Sequence, residues 1–429
     1  MAAKPHPVRL VLTDDLRRSR LTVFFRLLLT IPHFFWLALF TVGAFFIGLI
    51  NWFATLFTGR SPKGLHDFLA GYVRYATMVF AYLFLAANPY PPFYLGSNLN
   101  PYPVDVEIDP PQRQNRWVTG FRIFLAIPAL FVAATLSGGG AAANSRGGSS
   151  GGVASIASFL TWFSALARGR APRGLRDFLA WSIAYTAQVY AYVFLLTDRY
   201  PNSDPVVFLH ALEPPDAEGR ARLANADELR RSRLTVFFRL VLAIPHIVWL
   251  LLWTVLALLA GILNWFFTLI AGRPWTPLAR FLGAYIRYNA HVSGFLWLIA
   301  NPFPGFVGAA GSYPVDPQVP PAERQNRWIT GFRLILAIPA ILLNGALGWV
   351  TFTAGLLIWF YALVLGRAPG GLQRAGAYSI GYGAQLNCYL YALTDRYPHS
   401  SPLAVFAVSG DAPASLPPPE PPPSPALSS

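Results

Sequence analysis

The sequence predicts an all-α polytopic membrane protein with about eight transmembrane helices, arranged as four two-helix repeats. Hydrophobic residues make up 54% of the 429 positions and charged residues only 12%, about half the charged share of an ordinary soluble domain. Uncharged apolar runs such as 32–57 and 245–270 exceed the roughly 20 residues needed to cross a bilayer. The chain also repeats itself, and the repeats set the number of spans.

Two kinds of unit alternate along the chain in the order A, B, A′, B′. Segment 14–41 matches 227–254 at 21 of 28 positions, and segment 113–129 matches 324–340 at 14 of 17. Both kinds contain R-x-x-x-x-F-R-x-x-L-x-I-P, then a long apolar run, a short G-R loop and a second apolar run. Self-similarity at this scale indicates duplication of one supersecondary unit.

These repeats divide the chain into five segments. They are unit A at 1–102 with spans at 32–57 and 67–87, unit B at 103–212 with its last span at 178–197, unit A′ at 213–312 with spans at 245–270 and 279–300, unit B′ at 313–410 with spans at 339–365 and 374–393, and a Pro-rich tail at 411–429. The tail is expected to be disordered or PPII helix. A Gly/Ser-rich insert at 137–152 makes the third span ambiguous, because flexible coil must either leave the membrane or line a protein-walled cavity.

Each unit is expected to begin with a short amphipathic helix that lies in the membrane interface. Arg18, Thr22 and Arg26 recur at helical spacing, with Leu and Phe on the other faces, which is typical of an interfacial helix. The chain is predicted to turn into the membrane at one proline per unit: Pro32, Pro128, Pro245 and Pro339. Candidate contacts for anionic lipid head groups are Arg26, Arg122, Arg239 and Arg333. Binding of a substrate anion at Arg26 and Arg239 is the alternative.

The linkers between units change to extended patterning. Short segments rich in Val follow prolines at 8–13, 104–109, 206–209 and 403–408, and alternation of period two is clear in the first two. We expect these segments to form a small β-layer outside the membrane. Because two spans return the chain to its starting side, all linkers and both termini should share one face. The larger number of basic residues there predicts the cytoplasmic face.

Polar side chains inside the predicted spans are candidate functional sites; they are Arg74, Arg287, Gln188 and Gln385. These residues either line a polar, anion-attracting cavity or reach toward the nearer interface. The histidines and the single cysteine lack the spacing of metal ligands, and no phosphate loop, nucleophile elbow or carboxylate pair is recognisable. We therefore predict no metal, no cofactor and no catalytic residue. Nucleic-acid binding is not expected, because the arginines border apolar runs.

Three blocks recur in order: R-L-T-V-F-F-R-L-x-L-x-I-P-H, then W-F-x-x-L-x-x-G-R-x-P-x-G-L-x-D-F, then T-D-R-Y-P. This combination resembles a bacterial, largely actinobacterial, membrane family known as domain of unknown function 4389. The resemblance covers nearly all of 14–400 and implies neither an activity nor catalytic residues. Units A′ and B′ depart from the second block, so Asp67 and Asp177 have no counterparts there.

The expected function is that of a non-enzymatic membrane scaffold or partner-binding protein in the bacterial plasma membrane. Its expected partners are membrane lipids and a protein docked on the linker face or on the Pro-rich tail. The alternative is a transporter or channel for an anionic or lipid-like solute. A continuous polar cavity reaching the four polar residues of the spans would favour transport, whereas helices sealed by aromatic packing would favour a scaffold.

Overall fold

The computed structural model is mostly helical and describes residues 6–93, 102–138, 152–209 and 218–406, together with positions 212 and 215. The Pro-rich tail and nearly all of the Gly/Ser-rich insert lie outside these residues. Within the described part, three helices are long and apolar enough to cross a membrane: Arg26–Thr58, Arg239–Ala271 and Arg327–Leu365. The prediction of eight transmembrane helices is therefore not supported.

The helices fall into two sets. The outer helices are α2 (Arg26–Thr58), α5 (Arg122–Ser137), α6 (Val153–Arg168), α10 (Arg239–Ala271) and α12 (Arg327–Leu365). The inner helices are α3 (Lys63–Leu83), α7 (Arg173–Val193), α11 (Thr276–Leu296) and α13 (Gly370–Leu390). The remaining, short helices are α1 (Arg20–Phe24), α4 (Arg116–Gly120), α8 (Pro205–Leu209), α9 (Arg233–Phe237) and α14 (Pro402–Val405).

Four strands form two antiparallel pairs. The strands are β1 (Val8–Leu12), β2 (Val104–Ile108), β3 (Arg222–Asn225) and β4 (Val315–Gln318). In the first pair Val8 lies opposite Ile108, and in the second Arg222 lies opposite Gln318. The strands predicted at 8–13 and 104–109 are therefore confirmed. The strand predicted at 206–209 is wrong, because this segment belongs to the helix Pro205–Leu209. Of the strand predicted at 403–408, residues 403–405 are helical, Phe406 makes an isolated parallel bridge to Leu223, and 407–408 lie outside the described residues.

The elements pack in three layers. Each outer helix packs against the inner helix of its own unit, and the inner helices also pack against each other within the pairs α3–α7 and α11–α13. On their other side the inner helices contact the strands: α3 contacts β2, α7 contacts β1, α11 contacts β4 and α13 contacts β3. The inner helices are thus enclosed on both sides, which explains why their apolar residues resemble those of membrane spans.

The outer helices carry their polar residues on the inside. In α2 the buried positions include Arg26, Thr30, His33, Asn51 and Thr55. Large apolar side chains cover the rest of its circumference and are exposed along its whole length, from Leu27 at 74% to Phe57 at 73%. This distribution is the reverse of that in a soluble helix, and it indicates an apolar surrounding.

The Gly/Ser-rich insert interrupts one outer helix. In unit B′ the corresponding helix α12 is continuous, whereas in unit B it is divided into α5 and α6. The two ends of the insert meet: a Cβ added to Gly152 would lie 2.4 Å from the backbone nitrogen of Gly138. The end of α5 and the start of α6 are therefore adjacent, and the two helices together occupy the place of one outer helix.

The outer helices also run through the prolines at which the sequence predicts a turn. Pro32, Pro128 and Pro245 lie inside α2, α5 and α10, near the beginning of each, and Pro339 lies inside α12. A proline removes one backbone hydrogen bond, and in these helices that loss does not end the helix. The backbone departs from the helix earlier, at Phe25 in unit A and at Phe121 in unit B.

Units A and B are inverted with respect to each other. The turn between α2 and α3 lies against the segment leading into unit B, where Gln114 N–H donates to the Gly59 carbonyl at 2.9 Å. In return, the turn between α6 and α7 lies against the segment leading into unit A, where Arg18 N–H donates to the Gly169 carbonyl at 2.9 Å. The second half repeats this arrangement, with Gln325 N–H bound to Gly272. The structure thus differs from the predicted topology, in which turns and leading segments lie on opposite faces.

Candidate functional site

An arginine near the start of each outer helix binds the end of the inner helix in the same unit. Arg26 Nη1 donates to the carbonyls of Tyr82 and Ala87. Equivalent pairs of hydrogen bonds come from Arg122, Arg239 and Arg333. The last carbonyls of a helix lack the usual partner four residues further on. In each pair the first carbonyl also accepts a backbone N–H, as Tyr82 does from Leu85 at 3.1 Å, and the guanidinium group adds a charged donor to it and binds the second carbonyl. We call the four residues the clasp arginines.

The two carbonyls that each clasp arginine binds lie on either side of a residue in the left-handed conformation. These residues follow the four inner helices, have φ values between 57° and 63°, and are Leu85, Leu195, Leu298 and Ala392. Non-glycine residues adopt this conformation infrequently. The carbonyl of Leu85 accepts from Arg18 at 2.9 Å, and that of Leu298 accepts from Arg231 at 3.0 Å. The clasp therefore holds a backbone turn that is unfavourable on its own.

A second clasp residue lies eight positions before each clasp arginine; the sequence pattern places Arg18 on the amphipathic helix and predicts no backbone contact for any of these residues. It is Arg18 or Arg231 in units A and A′, and Gln114 or Gln325 in units B and B′. Gln325 donates to the Ala392 carbonyl at 2.8 Å and accepts from Arg333 at 2.6 Å. The repeated spacing of eight residues is the signal that could have identified it.

Burial of the clasp arginines does not fit the predicted contact with lipid head groups. Their exposed fractions are 2% or less, and Arg26 also lies over the ring of Tyr82, with 4.2 Å from its guanidinium carbon to the ring centre. A side chain that contacts lipid phosphate must reach the surface. The clasp arginines instead bind the backbone inside the protein, so their repeated position in the sequence has a structural cause.

The four polar residues predicted inside spans fasten the inner helices to the strands and linkers. Arg74 Nε donates to the Val106 carbonyl of β2 at 3.1 Å, and Gln188 donates to the Val8 carbonyl of β1 at 3.0 Å. In the second half, Arg287 donates to the Gly308 carbonyl at 2.9 Å. These partners belong to the strand layer and its linkers, so the residues do not converge on one cavity.

Gln385 has the most bonds of the four. Its Nε2 donates to the carbonyls of Ala221 and Ala404, at 2.9 and 3.2 Å, and its Oε1 accepts from the backbone N–H of His399 at 2.9 Å. Gln188 shows the same acceptor role, because its Oε1 accepts from the N–H of Asn202. Each glutamine therefore ties its inner helix to the segment that follows the helix.

Two buried tyrosines fix the linkers that lead into the strands. Tyr102 donates to the Pro89 carbonyl at 2.8 Å, and Tyr313 donates to the Pro302 carbonyl at 2.9 Å. Burial raises the pKa of both hydroxyls well above their ordinary value. The hydroxyls therefore remain protonated, and remain donors, across the physiological pH range.

The surface has an apolar face and a charged face on opposite sides. The apolar face consists of the outer helices. On the strand side, Arg9 forms ion pairs with Glu107 and Asp109, and all three side chains are between 31% and 59% exposed. Arg74 attaches β2 near the middle of α3, and Gln188 attaches β1 in the last third of α7, so the charged face covers the central part of α3 and the second half of α7.

Exposed arginines lie side by side at the edges of the apolar face. Isolated β-bridges pair Arg17 with Arg170, Arg60 with Arg113, and Arg230 with Arg367, and all six side chains are exposed. We call them the rim arginines. Trp117 and Trp328, which are 78% and 77% exposed, stand at the same edges. Arginine and tryptophan are the residues enriched where a protein meets the head-group region of a bilayer.

One family model matches the chain, and it is described as a domain of unknown function (DUF4389). It matches four segments: 20–94, 149–203, 233–307 and 327–401. Each segment contains an outer and an inner helix, and the second match begins only near the end of the Gly/Ser-rich insert. Neither the curated proteins nor the solved structures contain a match. Because the four matches cover more than half of the 429 residues, the chain belongs to the family defined by this domain of unknown function and carries four repeated segments of it.

Proposed function

We propose that the protein is a non-enzymatic scaffold embedded in one side of the bacterial plasma membrane, with the outer helices in lipid and the strand layer in the cytoplasm. The observation that carries this proposal is the separation of the two faces. The outer helices expose apolar side chains along their whole length, whereas the strands expose charged ones. A protein with one apolar and one charged face is suited to lie at a membrane surface.

The length of the outer helices supports an orientation along the membrane. At 1.5 Å per residue, the 33 residues of α2 and the 39 residues of α12 extend for about 50 and about 58 Å. The hydrocarbon core is about 30 Å thick, so an upright helix would project far beyond it. Exposed apolar residues continue to both ends, which favours helices that lie within the plane of the membrane.

The position of the strands supports the same orientation. Among the inner helices, α3 binds β2 near its middle through Arg74, next to the position where Glu107 lies opposite Arg9. If those helices crossed the bilayer, the exposed Arg9 and Glu107 would lie near its centre, where each charge is strongly unfavourable. With the helices parallel to the surface, these charges face water.

The rim arginines are the lipid-binding residues of this proposal. They lie at the border between the apolar face and the linkers. Each β-bridge joins two arginines and contains no carboxylate residue. Anionic phospholipid head groups would compensate both charges of a pair. Exposed residues such as Arg17 and Arg170 therefore replace the buried Arg26 as the candidates for head-group contact. A protein partner would bind the charged strand layer, which faces away from lipid.

Cysteine labelling tests the one-sided orientation. In a Cys388→Ala background, single cysteines replace Gly64, at the start of α3, and Asp15, in the segment before α1; both positions are exposed. We expect an impermeant maleimide to label neither position in intact cells and both after permeabilisation. Labelling of one position alone in intact cells would show that the hairpin crosses the membrane. Labelling of both would place the strand layer outside the cell.

A flux measurement separates the scaffold from the alternative of a transporter or channel. The full chain is reconstituted into phosphatidylglycerol–phosphatidylcholine vesicles loaded with chloride or with a fluorescent organic anion. We expect release at the rate of protein-free vesicles. Release that depends on the protein and disappears on heat inactivation would contradict the scaffold and favour transport.

A further inference from the structure

A polar cavity of about 290 Å³ lies between α11, α12 and α13 in the second half of the protein. Three asparagines line it, one from each helix: Asn289, Asn344 and Asn387. Side chains of Ser293 and Thr351 add hydroxyl groups, and the lining contains no charged residue. The volume is at the lower end of the range found for small-molecule sites.

The first half has the same cavity without its polar lining. Between α3, α5 and α7 it encloses only about 50 Å³ and is lined almost entirely by apolar groups. By the repeat offsets, Asn289, Asn344 and Asn387 replace the first-half residues Ala76, Ala133 and Tyr190, and Ser293 replaces Phe80. All four replacements make the cavity more polar, and the two that replace Tyr190 and Phe80 also enlarge it. The fold therefore does not require these residues, because the first half forms without them.

The three carboxamides have no hydrogen-bond partner among the described residues of the protein, although other polar groups in the same helices do. Ser379, for example, also lines the cavity and donates to the Leu347 carbonyl at 2.7 Å. Gly383 leaves space for Asn344, since a Cβ there would lie 3.1 Å from Asn344 Oδ1. All three side chains are half-buried, so their donors and acceptors are accessible through the mouth of the cavity to a partner that brings its own donors and acceptors.

The cavity opens on the apolar face. The inner helices α11 and α13 pack against each other beneath it and α12 forms one wall. Gly348 lines the cavity and is exposed, as is the neighbouring Gly345. The aromatic ring of Trp297 forms another part of the lining. An aromatic surface beside neutral amides and hydroxyls suits a ring that is apolar on its faces and hydroxylated on its edge.

We propose that this cavity binds an uncharged polyhydroxylated group, such as a sugar ring, through Asn289, Asn344 and Asn387. A charged head group does not fit, because no side chain of opposite charge lines the site. The group comes either from the head of a glycolipid or from a free polyol. The proposed membrane orientation bears only on whether the group comes from a glycolipid or from a free polyol, and binding itself does not depend on it.

Binding of two probes to the full chain tests the proposal. The protein is placed in phosphatidylcholine nanodiscs with a tenth of the lipid as glucosyl diacylglycerol, or in phosphatidylcholine alone with free methyl glucoside. Native mass spectrometry counts the bound glycolipid, and calorimetry measures the free sugar. We expect at least tenfold weaker binding when Asn289→Ala, Asn344→Ala and Asn387→Tyr are combined, because these substitutions restore the first-half residues.

Two further variants keep the result interpretable. Ser293→Phe restores the first-half phenylalanine and should block the cavity without touching the asparagines, while Thr186→Ala changes the first-half cavity and should leave binding unchanged. Binding of the glycolipid alone assigns a lipid source, and binding of methyl glucoside assigns a soluble one. Failure of both probes to bind the unaltered protein would overturn the proposal, and so would binding by the triple variant or by Ser293→Phe that equals binding by the unaltered protein. Neither result bears on the cysteine labelling that tests the orientation.

Discussion

The outer and inner helices of one unit show how similar apolar sequences reach different surroundings. In unit A′, α10 has buried residues along one stripe and apolar residues exposed elsewhere. The following helix α11 is enclosed by α10, α13 and β4. Both segments appear as membrane spans when apolar runs are counted. The two helices differ in where their polar side chains bind. Arg239 and His246 of α10 bind the inner helix and the residues that follow it, whereas Arg287 and His291 of α11 bind the strand layer and its linkers.

The largest effect is expected when one arginine is placed in an outer helix and another in an inner helix, which tests the difference between their surroundings. Leu251 of α10 is 68% exposed and Ile286 of α11 is 1% exposed. Ile286→Arg buries an unpaired charge, so we expect loss of folding, a cost above about 4 kcal/mol. Leu251→Arg should fold in detergent but weaken membrane insertion by up to about 3 kcal/mol. Thermal unfolding in detergent and flotation with phosphatidylglycerol vesicles measure the two effects.

The comparison fails if the two variants behave alike. Normal flotation of Leu251→Arg would show that α10 does not face lipid. Folding of Ile286→Arg at normal stability would show that α11 is not enclosed. Glu107→Gln on the strand face serves as the control, since loss of one exposed ion pair should change neither unfolding nor flotation by more than about 0.5 kcal/mol.

The next largest effect concerns the bonds between an outer and an inner helix, which are tested by replacing one clasp arginine. Arg239→Met keeps the apolar stem but removes the charged donor from the Phe295 and Ala300 carbonyls, of which Phe295 keeps the Leu298 N–H. Hydrogen bonds to a charged group contribute about 1.5–3 kcal/mol, and an unpaired buried acceptor has a similar cost. We therefore expect unfolding in detergent to become easier by about 3 kcal/mol. Arg230→Met, at the exposed rim, is the matched control and should change the free energy of unfolding by less than about 0.5 kcal/mol.

An unchanged stability of Arg239→Met would contradict the clasp. A loss of binding to phosphatidylglycerol vesicles without a loss of stability would instead return Arg239 to the head-group role that its sequence position suggests. For Arg230→Met together with Arg367→Met the expectation is reversed: weaker binding to these vesicles at normal stability.

The sequence predicts the units of this fold better than their arrangement. The repeated segments and the strands near Val8 and Val104 follow from local pattern, because period-two alternation or identity between repeats can be seen within a few residues. The inversion of unit B against unit A depends on contacts such as Gln114 with Gly59, which are distant in sequence. An even number of apolar runs does not specify which ends of two hairpins meet.

The role of the clasp arginines could also not be predicted from the residues near them in the sequence. An arginine beside phenylalanines at the start of an apolar run is equally compatible with lipid phosphate and with a buried helix end. The difference depends on where Tyr82 and Ala87 lie relative to Arg26, which is a property of the folded hairpin. The polar cavity was missed for the same reason, since Asn289, Asn344 and Asn387 come from three separate helices.

The smallest expected effect concerns a single bond between the layers. His246 Nδ1 lies 2.8 Å from the Tyr288 hydroxyl, and His33 and Tyr75 repeat this contact in unit A. Tyr288→Phe removes one hydrogen bond and leaves the ring in place, so we expect a loss of about 1 kcal/mol in the free energy of unfolding. Tyr75→Phe should cost about the same, and the double variant about twice as much, because the sites are in separate hairpins. Denaturant titration in detergent measures all three. A cost for either variant below about 0.3 kcal/mol would show that the inward polar stripe of the outer helices contributes little to holding the layers together, and that packing of the inner helices is sufficient.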